Sequence, residues 1–303
     1  MHGRDLWSRP CCCMMSEMKH LVSLLFASLV FSTLTFVSVQ VFSYQSQPVA
    51  PVAATPTFSV STTSGPTIGA SAYIIFDVET GLVLAEHDSG TPYPIASVTK
   101  LFTAAAILES FNPESTTTIT WRDVAGEGES GNLKSQQVYT YRELLFPLLL
   151  TSSNDAADAL LRATDNTLLA VMQSVASSSG AKTTQLVDAS GLSAKNVASA
   201  SDLMRFARAV GEKYPFVFDV SRLPHYIGEY TGWQNNNPVA DEDDYQGGKH
   251  GYTPAAGRTL VGEFSESFTG GKRTIGYVIL GSDNLATDTE VLRDFVATEV
   301  TYE

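Results

Sequence analysis

From Leu21 to Phe76 the chain carries no acidic or basic side chain, and this gap dictates how its 303 residues divide. The first part of the gap, Leu21–Phe42 (LVSLLFASLVFSTLTFVSVQVF), is long and apolar enough to span a bilayer, which takes about 20 residues. Lys19 precedes it and no charge follows closely, an arrangement that keeps the N-terminus cytoplasmic. Residues 21–43 are therefore expected to be a transmembrane signal anchor. A cleaved signal peptide is the alternative, because Val41-Phe42-Ser43 is a tolerable processing site. Residues 1–20 form a short cytoplasmic leader, although Met18-Lys19-His20 also reads as a start of its own. Residues 44–67 hold four prolines and no charge, the composition of a semi-extended tether. The folded domain is expected over residues 68–303.

Charge and cysteine usage narrow what that domain can do. Residues 1–67 are nearly neutral, whereas beyond them 30 acidic residues face 16 basic ones. Such a surface repels a phosphate backbone, so no nucleic-acid partner is expected. All three cysteines, Cys11, Cys12 and Cys13, precede the apolar run, where palmitoylation is one use for them. The domain thus has neither a disulfide framework nor a thiol nucleophile. Its histidines lack zinc-ligand spacing, and Asp241-Glu242-Asp243-Asp244 lacks the spacing of a calcium loop. No metal and no cofactor is expected.

Ala70–Asp77 and Leu82–Glu86 are runs of apolar β-formers around a turn containing Gly81, and they predict a hairpin. After Tyr93-Pro94 the pattern becomes helical from Ser97 to Leu108, with no polar face beyond the first turn. Lys100 stands at the head of this buried helix, where a charge is costly. Ser97 is three residues earlier, so the two side chains share a face. A desolvated lysine is available as a neutral base, and a serine beside it becomes an activated nucleophile. The alternative is that Lys100 snorkels to solvent and Ser97 caps the helix. S-x-x-K also occurs at Ser16–Lys19 and Ser179–Lys182, but neither precedes a buried helix.

Tyr141–Leu160 reads as two helices around a polar turn, with Asn154 or Asp155 capping the second. Ser152 and Asn154 either project into a cleft or serve that cap. Gly247–Gly262 reads as a strand bearing Lys249, with glycines that permit close backbone approach. A further strand over Thr274–Gly281 and a helix over Thr287–Glu299 complete the domain.

Taken in order, Ser97-x-x-Lys100, Ser152-x-Asn154 and Lys249-His250-Gly251 resemble the S-x-x-K, S-x-N and K-T-G signature of penicillin-binding proteins and serine β-lactamases. Flanking residues, including Asp188-Ala189-Ser190-Gly191-Leu192, Asn196 and Asp202, are similar to those of the D-alanyl-D-alanine carboxypeptidases of low molecular mass. The resemblance implies an α+β fold, an antiparallel sheet flanked by helices with an all-helical subdomain between the first and third motifs. It also implies acyl transfer from the D-Ala-D-Ala end of peptidoglycan stem peptides, with β-lactams as acylating inhibitors. In this reading Ser97 attacks and Lys100 takes its proton. Ser152 relays a proton to the leaving group under the influence of Lys249, and Asn154 binds a substrate amide. Gly251, Tyr252 and Thr253 line the substrate, with the Ser97 and Tyr252 N–H groups as oxyanion hole. Arg273 is the candidate for the terminal carboxylate, a solvated surface charge being its alternative. The protein would work at the extracytoplasmic face of the bacterial cytoplasmic membrane, or as a secreted enzyme if the leader is cleaved.

The sequence departs from this pattern at His250, where the family has a threonine hydroxyl for the substrate carboxylate. A protonated imidazole pointing into the cleft would replace it in part, with a contribution growing at acidic pH; the alternative is that the ring points away and packs beside the strand. Two other readings stand beside the carboxypeptidase. A class A β-lactamase would need a deacylating glutamate in the stretch that here contains Asp188–Leu192. A non-catalytic wall-binding module would have lost turnover through the change at His250.

Overall fold

The computed structural model describes residues 57–62, 64–126, 128 and 131–303. The expected leader, anchor and most of the tether, residues 1–56, lie outside the described residues. Among the described residues no helix is long and apolar enough to cross a membrane.

Strand β1 (Phe58–Val60) is followed by the predicted hairpin, β2 (Ala72–Asp77) and β3 (Val83–His87). A short strand β4 (Tyr93–Pro94) and a 3-10 turn (Ala96–Val98) lead into helix α1 (Thr99–Ser110). The chain then builds a mainly helical region from β5 (Thr116–Thr118), β6 (Val138–Thr140), α2 (Tyr141–Leu150), α3 (Asn154–Ala163) and α4 (Leu168–Ser178). It continues through β7 (Val197–Ala198), α5 (Ala200–Lys213), α6 (Phe216–Ser221), β8 (His225–Ile227) and β9 (Gly232–Gln234). Strands β10 (Tyr245–Thr253), β11 (Gly257–Phe268) and β12 (Gly271–Ser282) follow, then α7 (Leu285–Glu299) and β13 (Val300–Tyr302). The main sheet has the order β10-β11-β12-β2-β3 with every pair antiparallel, the architecture that the motifs implied.

Both faces of this sheet are buried, which is why its strands read as nearly unbroken apolar runs. Ile74, Phe76, Val261 and Val278 point into one core, formed with α1 and the helical region. Tyr73, Ile75, Leu260, Tyr277 and Ile279 point into the other, beneath α7. Each such side chain contributes about 1.5–3 kcal/mol by leaving water. Helix α1 lies at the centre of the first core, buried from Thr99 to Ile107.

Three local expectations are corrected. Phe58–Val60, expected as tether, pairs with Val300–Tyr302, so the folded body begins before Ile68. Gly247–Gly262 is a hairpin rather than one strand. Pro254 cannot donate to a ladder, and Gly257 takes a φ of 63°, so the chain turns between β10 and β11. The cap of α3 is Ser153, whose Oγ accepts from Ala156 N at 3.0 Å, while Asn154 and Asp155 occupy the first helical turn.

Candidate active site

Ser97 sits on the 3-10 turn because the residue before it has left-handed backbone, Ala96 having a φ of 46°. That conformation is unfavourable for alanine and must be held from outside. Thr259 Oγ1 donates to Ile95 O at 3.0 Å, and Ile95 N donates to Asn196 O at 3.0 Å. Two glycines allow the close fit. A Cβ at Gly191 would lie 2.0 Å from Ala96 O, and one at Gly251 would lie 2.5 Å from Ser97 N. Residue 251 thus brings the backbone of β10 directly against the serine.

One helical turn on, Lys100 is wholly buried. Its Nζ lies 3.1 Å from Ser97 Oγ, 2.8 Å from Asn154 Oδ1 and 2.6 Å from Ser190 O. The first two contacts join the motifs that the sequence singled out. The third was missed. Asp188 shapes the turn that supplies it, accepting from Ser190 N (2.9 Å), Gly191 N (2.5 Å) and Ser193 N (2.8 Å). Asn196 ties the same turn to α1, donating to Thr99 Oγ1 at 3.1 Å and accepting from Val187 N at 2.7 Å. An Asp two residues before a Ser and three before a Gly is an Asx-turn signal, so the turn was legible even though its use was not.

Ser152 is buried between α2 and α3 with a φ of 61°, so both motif serines are adjacent to or at left-handed, non-glycine positions. Lys249 is buried on β10, and its Nζ donates to His250 O at 2.8 Å. Lys249 pairs with Val261 and Gly251 with Thr259, on the sheet face that looks toward Ser97. Tyr252 is exposed at the mouth. Thr253 Oγ1 accepts from Ala256 N at 3.2 Å, which ties it to the hairpin turn.

Two expectations fail on geometry. Arg273 is not at the site. It forms a bidentate pair with the buried Asp77 (3.0 and 2.7 Å), contacts Glu79 at 2.5 Å, and lies over the rings of Tyr302 and Phe58. The pairing of Arg258 with Ser282 marks the site end of β12, nine residues from Arg273, or about 30 Å along a strand. His250 pairs with Leu260 and so belongs to the sheet face opposite Lys249. Burial above all, with the cations Lys249 and Arg258 adding to it, lowers its pKa to about 2. The imidazole is therefore neutral at working pH, and a protonated hydrogen bond growing at mildly acidic pH does not arise.

Two buried carboxyls are perturbed in the opposite sense. Burial, reinforced by Asp158 and Asp123, raises Asp155 to about 6, and its Oδ2 has no hydrogen-bond partner. Burial raises Glu263, on β11 between Gly247 and Gly276, to about 8, and its Oε1 is likewise unpartnered. Among the described residues no cluster of His, Cys, Asp and Glu could hold a metal ion.

Comparison with known proteins agrees with this geometry. Residues 59–284 match the D-alanyl-D-alanine carboxypeptidase family Peptidase S11. The D-alanyl-D-alanine carboxypeptidase DacB2 of Mycobacterium tuberculosis is 30% identical over 238 residues, 75% of this chain and 79% of that protein. A D-alanyl-D-alanine endopeptidase of Haemophilus influenzae is 32% identical over 231 residues, 72% of this chain and 77% of that protein. Penicillin-binding protein D2 of Listeria monocytogenes, solved in an ampicillin-bound form, superposes with a TM-score of 0.68 at 25% identity, covering 77% of this chain and 98% of that one. With a serine and a buried lysine in contact and the second motif closing on that lysine, the chain belongs to the D-alanyl-D-alanine carboxypeptidase family, serine hydrolases that act on D-Ala-D-Ala.

Proposed function

We propose that the protein trims peptidoglycan stem peptides through an acyl-enzyme on Ser97. The observation that carries this reading is the environment of Lys100 Nζ. A neutral amine has two N–H groups and one lone pair. Asn154 Oδ1 and Ser190 O are placed to accept the two N–H groups, which leaves the lone pair to face the Ser97 hydroxyl. Ser97 Oγ then attacks the carbonyl carbon between the two D-alanines as its proton passes to Lys100. The oxyanion is stabilised by the N–H groups of Ser97 and Tyr252. Collapse breaks the C–N bond, and the proton held by Lys100 returns through Ser152, in the field of Lys249, to the amine of the leaving D-alanine. Water hydrolyses the ester and regenerates the serine. Penicillins enter the same chemistry as acylating inhibitors, a reading supported by the ampicillin-bound relative. Residues 21–43 hold the enzyme at the extracytoplasmic face of the membrane, a role their length and apolarity support.

The test is intact-mass and peptide mapping after exposure to a penicillin. One adduct, at Ser97, is expected, and Ser97→Ala abolishes it while the fold is retained. An adduct at Ser152 or Ser179, or one that persists in the alanine variant, overturns the assignment. The Haemophilus relative favours a second reading, cleavage of cross-links. Release of free D-alanine from a pentapeptide, against scission of a cross-linked dimer, separates the two.

A further inference from the structure

Thr103 lies one helical turn beyond Lys100 on α1 and is wholly buried. A threonine inside a helix ordinarily turns its hydroxyl back to the carbonyl four residues earlier. Here that carbonyl, Thr99 O, is 3.4 Å away, and Met172 Sδ on α4 is 3.6 Å away. The close acceptor is Ala189 O at 2.7 Å, in a segment 86 residues further along the chain. A hydroxyl has one proton to donate, so this one serves the turn rather than its own helix.

The next carbonyl of that turn, Ser190 O, is the one that accepts from Lys100 Nζ at 2.6 Å. Two successive carbonyls therefore dock on one face of α1, at positions three residues apart. Asp188 imposes this from the other side by collecting the N–H groups of Ser190, Gly191 and Ser193, and Gly191 supplies a φ of 88°. Asn196 Nδ2 adds a third tie, to Thr99 Oγ1 at 3.1 Å. Lys100 is thus bracketed on its own helix by the two threonines that hold the turn.

We propose that Thr103 is a positioning residue of the acyl transfer, its hydroxyl fixing the Ala189–Ser190 backbone so that Ser190 O stays on the Lys100 amine. The assignment rests on the acyl-transfer reading given above and adds to it a residue that acts only through another. Without the hydroxyl, the buried Ala189 carbonyl loses this donor, and turning it toward a new one turns Ser190 O as well. Lys100 then keeps Asn154 Oδ1 but loses an acceptor that aims its lone pair at Ser97 Oγ. A carbonyl holds an ammonium more tightly than a neutral amine, so a weaker contact makes Lys100 easier to deprotonate and less basic. Among the described residues the charged groups around it are Asp158 on α3, Asp188 on the turn and Lys249 on β10, with His250 neutral, and a change at Thr103 alters none of them.

The experiment follows acylation of the full chain by ampicillin, using intact mass from pH 5 to 10 beside thermal melts. Thr103→Val keeps the branched shape without the hydroxyl, Thr103→Ala removes hydroxyl and methyl together, and Thr103→Ser keeps the hydroxyl. Valine and alanine differ in packing, so a change common to both reports the hydrogen bond. Both should acylate about tenfold more slowly at neutral pH, the scale of one hydrogen bond at a buried site. Their acid limb should also move down by about 0.5–1 pH unit. Thr103→Ser should return the limb to its parental midpoint and restore most of the rate. Valine and alanine variants that keep the parental rate overturn the assignment. So does a slower rate with an unmoved limb, because loss of folded protein scales the profile without shifting it. A serine variant as impaired as the valine one overturns it too. Peptide mapping of the parental adduct separates the two layers. An adduct at Ser97 with any of these three results refutes Thr103 alone, whereas no adduct at Ser97 refutes the acyl-transfer reading and this assignment with it.

Discussion

Glu263 offers a direct measurement of what a buried, unpartnered carboxyl does to this fold. It is 7% exposed, it lies on the sheet face shared with Val261, and one of its oxygens has no hydrogen-bond partner. Its neighbours across the sheet, Gly247 and Gly276, bring no polar side chain. Burial raises the folded pKa from 4.5 to about 8, so between those values the folded state holds a proton that the unfolded state has released. Stability must then fall as pH rises through this window, by at most about 1.4 kcal/mol per pH unit, and level off above it. At pH 7 the accumulated loss is about 3 kcal/mol relative to an acid that stayed unperturbed. Asp77, Asp123 and Asp202 have lowered pKa values and contribute the reverse slope, but only in the acid range below their unfolded values. Glu263→Gln removes the titration while keeping the shape. Urea unfolding of both proteins from pH 5 to 9 should show a stability difference that grows in favour of the glutamine variant up to about pH 8. Its offset at pH 5 reports how well the amide is accommodated. A difference that stays flat over the range would refute the reasoning.

Two further substitutions probe the site. Lys100→Arg keeps a charge at this wholly buried position but cannot supply a free amine, so penicillin acylation should fall by at least about 100-fold. Acylation at close to the parental rate would end the general-base role. Gly251→Ala puts a methyl 2.5 Å from Ser97 N and 2.9 Å from Thr259 Oγ1, so strand and serine must separate. Acylation should drop about tenfold or more for a stability cost of about 1–3 kcal/mol, and stopped-flow acylation with a parallel thermal melt checks both.

The contact between Ser97 and Lys100 was legible because their relation is local. Three residues on one helical face guarantee proximity, and the apolar run after Lys100 guarantees burial. Asn154 came from the ordered motifs as a ligand for a substrate amide, and its contact with Lys100 Nζ at 2.8 Å is a relation that no local pattern announces. The errors were all long-range or cumulative. Arg273 was placed on the strand next to the site in sequence order, but a strand of 12 residues has two ends, and only the register shows that residue 273 occupies the far one. His250 was considered without knowing which face Lys249 would take, and alternation then sends its neighbour to the opposite one. Phe58–Val60 looks like tether because its three residues gain a partner only when residues 300–302 arrive from the other end of the domain. The Ser190 carbonyl carries no side-chain signature at all.

The pairing of β1 with β13 makes the domain a nearly closed ring of chain. Thr57 N donates to Glu303 O at 2.7 Å and Glu303 N to Thr57 O at 3.2 Å, so residues 57 and 303 are adjacent in space. A short bridge could join them, and new ends could be opened at an exposed turn such as 269–270, leaving the order of contacts around Ser97 intact. The junction also lies beside Arg273, at the end of β12 remote from Arg258. Cargo fused at either residue would leave from that same pole, and the cleft would stay open to a substrate as bulky as a cell-wall strand.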